Sequence, residues 1–154
     1  MKKVIIAYFS TTGKTETMAN YIAEGIRFTG NQAITKKISE IKSSSDLKDY
    51  DGYIFGSPTF SLDVPSPMKT LLSKASVSFL KGKLAGAFGA YKHDVGYEPG
   101  GKAGSILLDE MQKEFKMEPF ELGALKLKED LVETSEGMRT CQDYGKVFGE
   151  KLGS

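Results

Sequence analysis

The stretch YFSTTGKTETMA, Tyr8 to Ala19, decides the reading of the chain. The run VIIAYF, Val4 to Phe9, leads into it. That run is short and almost wholly apolar, as expected of a strand buried on both faces. Met18, Ile22 and Ile26 then recur every four residues, with Ala19 and Ala23 beside them, which is the stripe of an amphipathic helix. The corner between strand and helix holds Ser10, Thr11, Thr12, Gly13, Lys14 and Thr15.

Outward from this corner the alternation continues. QAITKKI reads as a weaker strand near an edge, after FTGN, whose Gly30 and Asn31 are expected to cap the first helix. DGYIFGSP is a third strand running into a loop at Gly56. PSPMKTLLSKA opens with prolines suited to a helix start. GKLAGAFGAY is a fourth strand. A glycine-rich loop, Gly96 to Gly104, leads from it to the helix SILLDEMQKEF. FELGALKLK is a fifth strand. The last helix is TSEGMRTCQDYGKVFGEKL, with Met138, Cys141, Gly145, Phe148 and Leu152 on its apolar side. Five βα units predict an α/β fold, with a mainly parallel sheet and helices on both faces. Ligands of such sheets bind beyond the carboxyl ends of the strands. The loops after strands one, three and four are therefore the candidate site.

The 154 residues suit one domain, 1–154. Hydrophobic residues make up 40% and charged residues 27%, which argues against disorder. A net charge of +1 without a clustered basic block excludes a nucleic-acid footprint. No apolar run approaches the length of a membrane span. The two lysines before the first apolar run suggest a secretion signal, but that run is too short, and it is read as the first strand of a mature protein. The single cysteine, Cys141, forms no internal disulfide and fits a reducing cytoplasm. With one histidine, His93, no metal site is expected.

Three phosphate readings compete for the first corner. The dinucleotide fingerprint G-x-G-x-x-G is absent, because Gly13 stands alone. The GKT at Gly13 to Thr15 fits the end of a mononucleotide P-loop, but the first glycine of that motif would fall on Tyr8. What remains is a nest of hydroxyls at a helix N-terminus. Ser10, Thr12 and Thr15 can donate hydrogen bonds, and the helix adds N–H donors and its dipole. That suits a single terminal phosphate. The plainer alternative is a hydroxyl N-cap, although four hydroxyls exceed what one cap needs.

STTGKTETMA resembles the phosphate loop of flavodoxins, S/T-x-T-G-x-T after the first strand. GYIFGSPTF resembles the second flavin loop of that family. GAFGAY stands where the third loop belongs, and CQDYGKVFGEKL resembles the usual last helix. The resemblance runs in order along essentially the whole chain. It implies a flavodoxin-like three-layer sandwich with a five-stranded parallel sheet in the order 2-1-3-4-5. It implies FMN as cofactor, with the phosphate on Ser10, Thr11, Thr12, Gly13, Lys14 and Thr15. Ser57, Pro58, Thr59 and Phe60 would line the isoalloxazine, with Phe60 stacked on one ring face. Main-chain groups at Gly89, Ala90 and Tyr91 would meet the pyrimidine edge, and Tyr91 or Tyr97 would cover the other face.

The chain departs from the family pattern in three places. Lys14 stands where flavodoxins commonly carry a small neutral residue or asparagine. Its charge either adds to the phosphate site or points to solvent. Ser61 follows the aromatic where glycine is usual. A non-glycine residue resists positive φ, so strong stabilisation of the one-electron-reduced flavin is not expected. The third loop is long and mixes Lys92, His93, Asp94 and Glu98 where flavodoxins are acidic. A reduction potential less extreme than in acidic flavodoxins follows. The resemblance implies an electron carrier between protein redox partners, a reductase and an acceptor, acting as a monomer or weak homo-oligomer. FMN-dependent NAD(P)H:quinone reductases share the GSPT and PMKTLL segments, and an enzyme of that kind is the alternative.

Overall fold

Val4, Ile6 and Tyr8 lie on one face of the first strand and Ile5 and Ala7 on the other, and all five are buried. Two-sided burial requires helices on both faces. The computed structural model has that arrangement. The structure describes residues 1–10, 13–57, 70, 77–91 and 102–153. Among them the strands are β1 (Lys3–Tyr8), β2 (Gln32–Lys37), β3 (Gly52–Gly56), β4 (Leu84–Tyr91) and β5 (Glu118–Lys128). The helices are α1 (Lys14–Arg27), α2 (Val77–Leu80), α3 (Lys102–Phe115), α4 (Glu129–Val132) and α5 (Ser135–Leu152). All strand pairs are parallel, in the order β2-β1-β3-β4-β5. This is the fold and strand order expected from the sequence.

The two layers divide by residue parity. Val4, Ile6, Ile54 and Phe88 pack against Met18, Ile22 and Ile26 of α1 and Cys141 and Phe148 of α5. Ile5, Ala7, Tyr53, Phe55 and Ala87 pack against Leu107, Met111 and Phe115 of α3. On the first layer α1 and α5 approach closely. A Cβ at Gly145 would sit 2.0 Å from the Ile22 carbonyl oxygen, and one at Gly25 would sit 1.9 Å from that of Gln142. Glycine at both positions lets the two backbones touch.

Three details differ from the sequence reading. The C-cap of α1 is Phe28, Gly30 takes the turn at φ 85°, and Asn31 does not cap α1. Its amide instead donates to the carbonyls of Gly149 and Gly153 and accepts from the Lys2 N–H, tying both ends of the chain together. The buried side of α5 includes Tyr144, while Met138 and Leu152 are half-buried. β5 is not regular, for Phe120 to Gly123 stand opposite Gly86 alone in the register with β4. The Tyr144 hydroxyl fills that gap. It accepts from the Ala87 N–H at 3.3 Å and donates to the Gly123 carbonyl at 2.7 Å.

Candidate functional site

The site is built on the carboxyl ends of β1, β3 and β4. In register, Tyr8 of β1 stands beside Gly56 of β3, and Gly56 beside Phe88 of β4. Phe9 N–H donates to the Gly56 carbonyl at 3.0 Å, and Ser57 N–H to that of Phe88 at 3.1 Å. Ser10, Ser57 and the end of β4 thus leave the sheet at one edge. The Phe88 carbonyl faces β3. The pleat therefore directs the main chain of Ala90 to the same side, beyond Gly56, the last residue of β3. Gly89 and Ala90 are buried, Tyr91 is half-buried, and Ser57 is fully buried. Thr11, Thr12, Pro58, Thr59, Phe60 and Tyr97 lie outside the described residues, as do Ser61 and the mixed-charge segment from Lys92 to Glu98.

The first loop turns on Gly13, which holds φ 87° as the N-cap of α1. A Cβ there would meet nothing within 4 Å, so the backbone faces open space. Ser10 Oγ accepts the Gly13 N–H at 3.0 Å and closes the turn. The N-cap residue itself is a glycine and brings no side chain to the end of α1. Its first helical bond is Thr17 N–H to the Gly13 carbonyl, so the N–H groups of the first turn lie ahead of the ladder. Thr15 is buried at the head of the helix. These are the donors an anion needs, and the helix dipole favours it. The residue at the N-cap position is Gly13, and the hydroxyl of Ser10 serves the turn ahead of it.

A cavity of about 600 Å³ opens beside this turn. Among the described residues, Tyr8, Phe9, Ser10, Gly13 and Glu16 line it from β1, the loop and the helix, Lys37 from the end of β2, Ile38 and Ser39 from just after it, and Thr70 from the segment after β3. Sequence reasoning missed Lys37, whose only signal was a lysine pair closing an alternating strand. The Tyr8 hydroxyl donates to Glu16 Oε2 at 2.7 Å. Burial, and then that carboxylate, push the Tyr8 hydroxyl far above the usual phenol range. It is a fixed donor at any ordinary pH. Lys14 is placed unexpectedly, with its ammonium paired to the carboxylate of Glu133 in the turn between α4 and α5.

Comparison with known proteins matches this arrangement to the flavodoxin family model over residues 6–140. The chain belongs to the flavodoxin family. It is 36% identical over 86 residues to a flavodoxin of Clostridium saccharobutylicum, an alignment covering 56% of this chain and 54% of that protein. It is 32% identical over 121 residues to an NAD(P)H dehydrogenase (quinone) of Gluconacetobacter diazotrophicus, covering 66% and 61%. It is 28% identical over 153 residues to a diflavin flavoprotein of Synechocystis sp., covering 97% of this chain and 24% of that one. The chain thus spans less than two thirds of the length of each of these relatives. Among solved structures, oxidised flavodoxin 1 of Bacillus cereus superposes with a TM-score of 0.80 at 30% identity, covering 96% of this chain and 97% of that one.

Flavodoxins are FMN-binding flavoproteins, and this chain is an FMN-binding redox protein. The residues present fit that cofactor at its phosphate end. A positive-φ glycine turn with space beside it, the main-chain N–H groups of the first turn of α1 and the hydroxyl of Ser10 are a neutral donor set that suits a phosphate monoester. Among the described residues no group of His, Cys, Asp and Glu could hold a metal ion, and no helix is long and apolar enough to cross a membrane. Cys141 is buried in the α1–α5 layer and belongs to the core.

Proposed function

We propose that the chain is an electron carrier of the flavodoxin type, passing electrons between a reductase and an acceptor protein in the cytoplasm. The supporting observation is the N-terminus of α1 behind the positive-φ Gly13 turn, at the end of the sheet where β1, β3 and β4 give their carboxyl ends. In this reading Ser10, Thr11, Thr12, Gly13 and Thr15 hold the FMN phosphate. Lys14 contributes its main-chain N–H, since its ammonium is engaged by Glu133. Ser57, Pro58, Thr59 and Phe60 line one side of the ring, and the main chain at Gly89 and Ala90 meets its polar edge. Tyr91 or Tyr97 covers the second face. FMN supplies the one- and two-electron chemistry when bound. The protein's part is to bind, orient and exclude water. No nucleophile and base pair is needed. With a mixed-charge rim, docking to partners should depend only modestly on salt, and the protein works as a monomer or weak homo-oligomer.

A second reading, an FMN-dependent NAD(P)H:quinone reductase, is favoured by the 32% identity to the quinone dehydrogenase. One experiment separates the two. In an anaerobic dithionite titration of the FMN-loaded protein, a one-electron carrier develops a long-wavelength absorbance band that rises and then falls, despite the residue Ser61 that works against it. Direct bleaching, together with rapid NAD(P)H oxidation by added quinone, supports the reductase. Failure to retain FMN removes both readings.

A further inference from the structure

Lys14 is the only cation between Ser10 and Thr15, and it occupies the first position of α1. A lysine there has the reach to place its ammonium on an anion at the helix N-terminus. It does not do so in this fold. Its ammonium pairs with Glu133, 119 residues away in sequence. Glu133 stands on a well-held piece of backbone. It is the C-cap of α4, and the next residue, Thr134, is the N-cap of α5, accepting the Gly137 N–H at 3.0 Å. Thr134 N–H and hydroxyl both donate to the Leu131 carbonyl, the hydroxyl at 2.7 Å. Gly137 packs so closely on this turn that a Cβ would come within 2.0 Å of the Leu131 carbonyl oxygen. The carboxylate is therefore presented from a rigid corner, while the lysine is the flexible partner. The pair is partly exposed, with side-chain exposures of 29% for Lys14 and 61% for Glu133, so breaking it costs the fold little and its effect is read at the phosphate site.

We infer that Glu133 is a positioning residue that holds the charge of Lys14 away from the phosphate site and so keeps FMN bound by neutral donors alone. The inference rests on the reading of the Ser10–Thr15 loop as that site. Releasing the lysine frees its ammonium for the phosphate, and the gain is bounded by what an exposed ion pair is worth, about three- to fivefold in affinity. The binding also becomes more sensitive to salt, because a mobile cation now faces an anion near the surface.

The test is fluorescence titration of the flavin-free full chain with FMN and with riboflavin, which lacks the phosphate. Wild type, E133Q, K14M and the double variant E133Q/K14M are compared at two ionic strengths. The expected result is that E133Q binds FMN about three- to fivefold more tightly than wild type, with a steeper loss at high salt. Its riboflavin affinity stays within about twofold of wild type, since riboflavin has no phosphate for the freed ammonium to meet. In the K14M background the E133Q change gives no gain. If E133Q leaves FMN affinity within twofold of wild type, the inference falls while the phosphate reading stands. It falls equally if riboflavin tightens in parallel or if the gain survives in K14M. Wild type that binds FMN no better than riboflavin overturns the phosphate reading and the inference together.

Discussion

Tyr144 is the residue whose chemistry is most tightly specified. Its hydroxyl stands in for a missing stretch of β-ladder, satisfying the Ala87 N–H and the Gly123 carbonyl where β5 bulges. Its ring packs edge-on against Phe120, with ring centroids 5.2 Å apart. Tyr144→Phe keeps the packing and orphans both main-chain groups. The expected cost is about 1–3 kcal/mol, read as a lower urea midpoint at unchanged slope. A midpoint equal to wild type would mean that water replaces the hydroxyl. Gly13 makes a different prediction. Its φ of 87° disfavours any side chain, yet a Cβ there touches nothing. Gly13→Ala should therefore cost about 1–2 kcal/mol of fold stability through backbone strain alone. Gly13 was legible because a lone glycine at a strand-to-helix corner has few other uses. The partners of Tyr144 and Lys14 were not, because a contact spanning 57 or 119 residues leaves no periodic trace in sequence.

At the scale of elements, the strands were readable from continuous apolar runs and the helices from three-and-four spacing. β1 and α1 fell where the pattern put them. β5 was longer and less regular than FELGALKLK suggested, since a bulge depends on what the neighbouring strand needs. The four-residue helix α4 was missed because EDLV has no room for a period. The α1–α5 crossing carries the main prediction here. Gly145→Ala would drive a methyl into the Ile22 carbonyl and force the helices apart. The expected loss is about 1–3 kcal/mol or more, checked by chemical denaturation. Because α1 presents the phosphate loop at its N-terminus, FMN affinity should weaken in the same variant. Gln142 Nε2 donates to Glu24 Oε1 at 2.9 Å on the rim of this crossing, and since this bond is exposed the residue should tolerate alanine.

For the molecule as a whole, burial sets a limit on its alkaline range. It pushes the Cys141 thiol from 9.0 up to about 12 and the Tyr53 hydroxyl from 10.0 up to about 12. Burial raises Tyr144 further still. The unfolded chain releases these protons first, so it binds fewer protons than the folded chain above pH 9. Stability is therefore full below about pH 9 and falls between about pH 9 and 12. Urea midpoints at pH 8 and pH 10.5 should show the drop, and a flat profile would mean that these groups sit in water. Cys141 should likewise resist alkylation until the protein unfolds.

The family and strand order follow from motifs shared along the chain, but the ring-binding loops depend on residues whose type is permissive. The central claim is that the Ser10–Thr15 loop holds a phosphate. Its most direct test is the ratio of FMN to riboflavin affinity in the wild-type, flavin-free chain. Several hydrogen bonds to an anion predict a preference for FMN on the order of 100-fold or more. Equal affinity for the two flavins would contradict it.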